Sequence, residues 1–97
     1  MAVLYVSEFD DHGDSETDVL RAAALANQTV TIAASANSSS TFNAGTGLVL
    51  VHTDTTCFVL FGTAPVATVT SSRMATNGER VYAVPKGRSF KVSVISA

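Results

Sequence analysis

Residues 54–97 read DTTCFVLFGTAPVATVTSSRMATNGERVYAVPKGRSFKVSVISA, a series of apolar runs cut by turn signals. The run Cys57-Phe58-Val59-Leu60-Phe61 is apolar at every position and stops at Gly62. It predicts a central strand with a second sheet on one side and loops or a partner on the other. A further strand pattern, Val66 to Thr70, follows Pro65. Within Met74 to Arg80, Asn77-Gly78 suits a type I′ hairpin turn, because both residues tolerate positive φ. Val81 to Val84 reads as the next strand, and Pro85-Lys86-Gly87 suits a β-turn with Pro at its second position. The last strand sets Phe90, Val92 and Val94 inward against Ser89, Lys91 and Ser93 outward.

The same punctuation runs backwards from Asp54. Leu48 to Thr53 opposes Leu48, Leu50 and His52 to Val49, Val51 and Thr53, the period of a half-buried strand. Gly45-Thr46-Gly47 is a turn, Thr41 to Ala44 a short strand, Ser35 to Ser40 a turn or loop, and Thr29 to Ala34 an alternating strand. Seven or eight short strands at this spacing predict an all-β fold, an antiparallel β-sandwich or small jelly roll spanning residues 28–97. Residues 1–27 read differently. Ala2 to Val6 is an edge strand or an arm reaching onto a neighbour, Ser7 to Asp18 an acidic loop, and Asp18 to Ala26 a short helix by propensity with Ser15 as its cap. So short a helix is not stable in isolation.

Composition bounds the function. The 97 residues allow one domain, and 46% hydrophobic with 14% charged residues excludes a disordered chain. The low-charge surface, rich in Ser, Thr and Ala, suits protein contacts. Net charge is −2, but the signs are segregated: Glu8, Asp10, Asp11, Asp14, Glu16 and Asp18 are six of the eight acids, and Arg73, Arg80, Lys86, Arg88 and Lys91 five of the six bases. Such segregation steers head-to-tail packing of copies or docks an acidic segment on a basic surface. The dispersed cations, with few interleaved aromatics, argue against nucleic acid. The start Met-Ala-Val-Leu-Tyr-Val has no cationic leader and no apolar run nears the ~20 residues of a membrane span, so synthesis in the cytoplasm and no membrane partner are expected.

Groups for chemistry are sparse. Cys57 is the single cysteine, so an internal disulfide is excluded, and its place in the most apolar strand marks it as a packing residue. Asp10-Asp11-His12-Gly13-Asp14 gathers oxygen and imidazole ligands without the calcium-loop spacing. His52 and Cys57 are the one base–nucleophile pair to consider, and no oxyanion motif accompanies them. Gly45-Thr46-Gly47 lacks the rest of a dinucleotide or phosphate loop. No enzyme activity, catalytic residue, metal, cofactor or small-molecule substrate is expected.

The ordered string Gln28-Thr29-Val30-Thr31-Ile32, Phe42-Asn43-Ala44, Val51-His52-Thr53-Asp54, Cys57-Phe58, Phe61-Gly62-Thr63-Ala64-Pro65, Ala67-Thr68, Arg73-Met74-Ala75, Asn77-Gly78 and Gly87 to Ile95 resembles a group of small virion structural proteins of tailed bacteriophages and prophages. The likeness covers residues 28–95, rests on structural motifs, and leaves Ser7 to Ala26 unmatched. It implies a capsid decoration (cement) protein of β-sandwich type, located on the virion surface. Its implied partners are the major capsid protein and other copies of itself, as a dimer or trimer. The alternative within the particle is a tail, head-fibre or receptor-binding module.

A cement protein needs contact surfaces and no nucleophile. The apolar N-terminal residues Leu4, Tyr5, Val6 and Phe9, beside Asp10 and Asp11, are the first candidates for shell or neighbour contact; the alternative is that Val3 and Tyr5 are ordinary core residues of a first strand. Arg73 and Arg80, flanking the Asn77-Gly78 turn, are the next, as partners for carboxylates on the shell or on the arm of an adjacent copy, the alternative being surface arginines without partners.

Overall fold

Alternation decides the sheets. The computed structural model describes the backbone of residues 2–9, 12–14, 17–20 and 26–97, and the side chains of 2–9 and 26–97. These hold strands β1 (Val3–Phe9), β2 (His12–Asp14), β3 (Thr17–Leu20), β4 (Ala26–Thr31), β5 (Asn37–Ser38), β6 (Leu48–Thr53), β7 (Cys57–Gly62), β8 (Ser72–Met74), β9 (Glu79–Ala83) and β10 (Lys91–Ser96). No helix occurs among the described residues. One four-stranded antiparallel sheet runs β4-β1-β6-β9 and a second runs β5-β10-β7-β8, while β2 and β3 pair as a separate ribbon.

The pairings are nested. β7 pairs with β8, β6 with β9, β5 with β10 and β4 with β1, and successive pairs alternate between the two sheets. An antiparallel ribbon wound in this way is a jelly roll. β1 fills the position beside β4 that a strand following β10 would otherwise take. Residues near both ends of the chain therefore flank one segment: the Ile32 amide donates to Ala2 O at 3.0 Å and the Ser96 amide to Ala33 O at 2.9 Å.

The core lies between the sheets. Leu4, Val6, Val30, Val49 and Val51 from the first sheet meet Cys57, Val59, Met74, Val92 and Val94 from the second, and Ile32, Phe42 and Val84 join them from outside the strands. Along β6 the inward set is Val49, Val51 and Thr53, each fully buried, as the alternation predicts. Three rings run along one side of this core, with Phe42 6.1 Å from Phe61 and Phe61 4.6 Å from Tyr82.

Several expectations are corrected. Ala2 to Val6 is neither an edge strand nor an arm, since β1 pairs with β4 on one side and β6 on the other. Leu4 and Val6 are 0% and 1% exposed. Burying such a side chain contributes about 1.5–3 kcal/mol, against a total stability of about 5–15 kcal/mol for a domain of this kind. Releasing β1 would therefore cost much of the fold. The expected helix over Asp18 to Ala26 meets β3 at one end and the start of β4 at the other, with residues 21–25 and its proposed cap Ser15 outside the described residues. Thr41 to Ala44 and Val66 to Thr70 are not strands.

The Asn77-Gly78 expectation is displaced by one residue. The Gly78 amide donates to Ala75 O at 2.8 Å, so Thr76 and Asn77 are the central pair and Asn77 alone takes positive φ, +60°. Gly78 is required for space instead, because a Cβ there would sit 2.8 Å from Ala75 O. Nor is this a hairpin: it carries the chain from β8 in the second sheet to β9 in the first. The later turn centres on Lys86-Gly87, with Gly87 at φ +72°, so Pro85 precedes the central pair.

Candidate functional site

The residues singled out by sequence divide by environment. Leu4, Val6 and Phe9 are buried within the chain, whereas Tyr5 keeps 47% of its surface. Arg73 and Arg80 are exposed. They do not form one patch, because Arg73 stands on the outer face of β8 opposite Phe58 whereas Arg80 lies opposite inward-facing Val51 on the edge strand β9. An inward-directed charge at a sheet edge discourages addition of a further strand. Asp10 and Asp11 lie outside the described residues.

The outer face of the first sheet is assembled by register. Thr29, Tyr5, His52 and Glu79 form one row across β4, β1, β6 and β9, and Asn27, Ser7, Leu50 and Val81 form the next. The Tyr5 and His52 rings lie 6.0 Å apart at 41°, and His52 Nδ1 is 3.4 Å from Glu79 Oε1. Val81 is 48% exposed. Asp54, just beyond β6, accepts the Val3 amide on Oδ1 at 2.9 Å. The face thus carries Tyr5 and Leu50 on its inner strands and Val81 on its edge strand, among polar Ser7, Asn27, Thr29 and His52, with Glu79 on the edge strand and Asp54 just beyond β6.

The second sheet is finished differently. On β10 the outward residues are Lys91, Ser93 and Ile95, and on β7 they are Phe58 and Leu60. Outward Ser93 is nevertheless fully buried, because the segment joining β7 to β8, residues 63–71, crosses the outer face as a strap. Its fastenings are specific. The Ala67 amide donates to Ser93 Oγ at 2.9 Å, and Ser38 Oγ donates to Pro65 O at 3.4 Å. Within the strap the Thr68 amide donates to Ser71 Oγ and the Ser71 amide to Thr68 O, at 3.0 and 2.9 Å. Pro65 and Ala67 face inward, while Val66 and Val69 are 66% and 67% exposed. With Leu60 at 40%, this is the most apolar exposed region among the described residues.

Elsewhere, polar groups serve the scaffold. Glu8, expected in an acidic loop, is 2% exposed on the inward side of β1. Its Oε1 accepts the Asn43 amide at 2.7 Å and the Thr46 hydroxyl at 2.8 Å, and its Oε2 accepts Gln28 Nε2 at 3.1 Å. A buried carboxylate is tolerable with such donors, and here it ties β1 to the 43–46 turn. Burial is the chief influence raising the Cys57 thiol pKa above its ordinary 9.0, opposed by a 3.5 Å contact with Thr53 Oγ1 and reinforced by Asp54. Cys57 packs inside the sandwich while His52 stands on the outer face of the first sheet, so the two are not brought together as base and nucleophile.

Two shallow depressions follow β1 and β4. One of about 290 Å³ lies beside Tyr5, Ser7, Asn27 and Thr29, and one of about 340 Å³ beside Gln28, Ser40, Thr41 and Asn43. Among the described residues no group of three His, Cys, Asp or Glu gathers to hold a metal. Of the run 10–14, whose carboxylates and imidazole lack the calcium-loop spacing, the described part is the backbone of His12–Asp14.

The strap is what the sequence reading missed. A signal was present: residues 55–72 contain no Asp, Glu, Lys or Arg, and β7 accounts for only part of that run. No protein-family model, curated protein or solved structure matches the chain.

Proposed function

We propose that this chain is a non-enzymatic structural protein of a phage particle, a decoration (cement) protein that binds the outer surface of the major capsid shell and stabilises it. The likeness of residues 28–95 to small virion proteins motivates the reading, and the observation that carries it is the strap. A loop already fastened by Ala67, Thr68 and Ser71 presents Val66 and Val69 without needing to be ordered on contact. Preorganisation of this kind lowers the entropic cost of association. It suits a protein that makes the same contact many times in a lattice.

The test is reconstitution. Purified protein added to shells that lack it is expected to bind in a fixed copy number and to raise their resistance to heat and dilution. No binding, with bare shells equally resistant, overturns the reading; density for the protein at the tail vertex replaces it with the tail or fibre role.

A further inference from the structure

The two outer faces of the sandwich are complementary to each other. The first has Tyr5 and Leu50 on its inner strands and Val81 on its edge strand β9, with Asp54 and Glu79 as its described charged side chains apart from His52. The second has Leu60, Val66 and Val69, with Arg73 and Lys91 as its described charged side chains. No ion pair among the described residues uses Arg73 or Lys91. The carboxylates of Asp54 and Glu79 thus lie on one outer face and the cations of Arg73 and Lys91 on the other, each beside exposed apolar side chains.

We propose that copies of this chain associate head to tail, the outer face of the second sheet of one copy docking on the outer face of the first sheet of the next. Identical faces brought together would oppose like charges, whereas unlike faces pair apolar with apolar and cation with carboxylate. A contact between two different patches is heterologous: it closes into a ring or continues as a row, according to the rotation between copies. The strap supplies the raised part of the contact and the bare first sheet the surface that receives it. The proposal does not depend on the virion reading, although it gives a lattice protein its lateral contact.

Size sets the strength. Four strands about 4.8 Å apart and about six residues long make a face of about 20 by 20 Å, roughly half the ~800 Å² per partner of a standard interface. The association should therefore be weak for the isolated protein, and exposed charge pairs make it weaken as salt rises.

Sedimentation velocity across a concentration series, at low and moderate salt, tests this with two exposed-site variants checked for folding by circular dichroism. Val69→Asp places a negative charge on the second face, against the carboxylates of its partner; Val81→Lys places a positive charge on the first face, against Arg73 and Lys91. Each variant alone is expected to associate about tenfold or more weakly than the parent. Mixed together they recover a one-to-one complex, because Val69→Asp retains an intact first face and Val81→Lys an intact second. A parent protein that stays monomeric at about millimolar concentration overturns the proposal. So does a mixture that stays monomeric, or a result in which only one of the two variants loses association, which is the behaviour of a symmetric face-to-face pair.

Discussion

β1 and the strap 63–71 have exchanged the roles that their sequences suggest. Leu4-Tyr5-Val6 looks like a detachable apolar arm, yet it lies second in a four-stranded sheet with Leu4 and Val6 sealed from solvent. Val66 to Thr70 looks like scaffold, yet it is laid outside the second sheet with its valines two-thirds exposed. Hydrophobicity alone therefore does not separate core from contact surface in this molecule. What separates them is whether the neighbouring polar groups face a sheet or a loop. Around β1 the backbone pairs with β4 and β6; around the strap, the hydroxyls of Ser93, Ser71 and Thr68 accept the Ala67, Thr68 and Thr70 amides in place of strand partners.

The sharpest way to break that comparison is to weaken β1. Leu4→Ala leaves a cavity at a fully buried site and is expected to cost about 3 kcal/mol, a fall in melting temperature of roughly 12–24 °C for a domain of this size. A urea or thermal melt checks it, and a loss below about 1 kcal/mol would mean that β1 is peripheral after all. Glu8→Ala is expected to cost about 2 kcal/mol, because the Asn43 amide, the Thr46 hydroxyl and the Gln28 amide lose their acceptor in a buried place. If Glu8→Ala melts like the parent, the carboxylate is not what holds the 43–46 turn to β1.

Legibility followed periodicity. β6 and β10 are readable because their inward residues recur at every second position, and β7 because a short, wholly apolar run stops at Gly62. β1 has the same period, but its partners are β4 and β6, far along the chain, and nothing in a strand's own residues names them. The strap departs from a strand for a local reason. Its exposed valines, Val66 and Val69, are three apart, which an alternating strand cannot place on one face. The Ser and Thr between them are residues that bond their own backbone. Glu8 groups by charge with the acids that follow it, although the two-residue period through Leu4 and Val6 puts it on the core side. Of the candidate contact residues, Tyr5 and Arg73 do stand on exposed outer faces, and the uncharged run 55–72 marks where the other apolar surface lies.

Smaller effects sharpen the strap's side of the comparison. Ser93→Ala removes the acceptor of the buried Ala67 amide and is expected to cost about 1 kcal/mol. That loss should be felt locally, as faster hydrogen exchange at Ala67 and Thr68 with β1 amides unchanged. Unchanged protection at Ala67 would mean that packing of Pro65 and Ala67, and not the Ser93 hydroxyl, holds the strap down.

The smallest expected change in stability belongs to the pair Val66→Ser with Val69→Ser. Both side chains are mostly in solvent, so removing them should alter the melt by no more than about 0.5 kcal/mol. Association is where they should matter, in shell binding and in the concentration-dependent sedimentation of the protein alone. The combination is diagnostic, since a contact surface can be stripped without loss of fold and a core strand cannot. Should the double variant lose stability comparable to Leu4→Ala, the strap would be core, and the distinction between it and β1 would fail. Should it keep both stability and association, Val66 and Val69 would be exposed without being used, and the contact would have to lie on another surface.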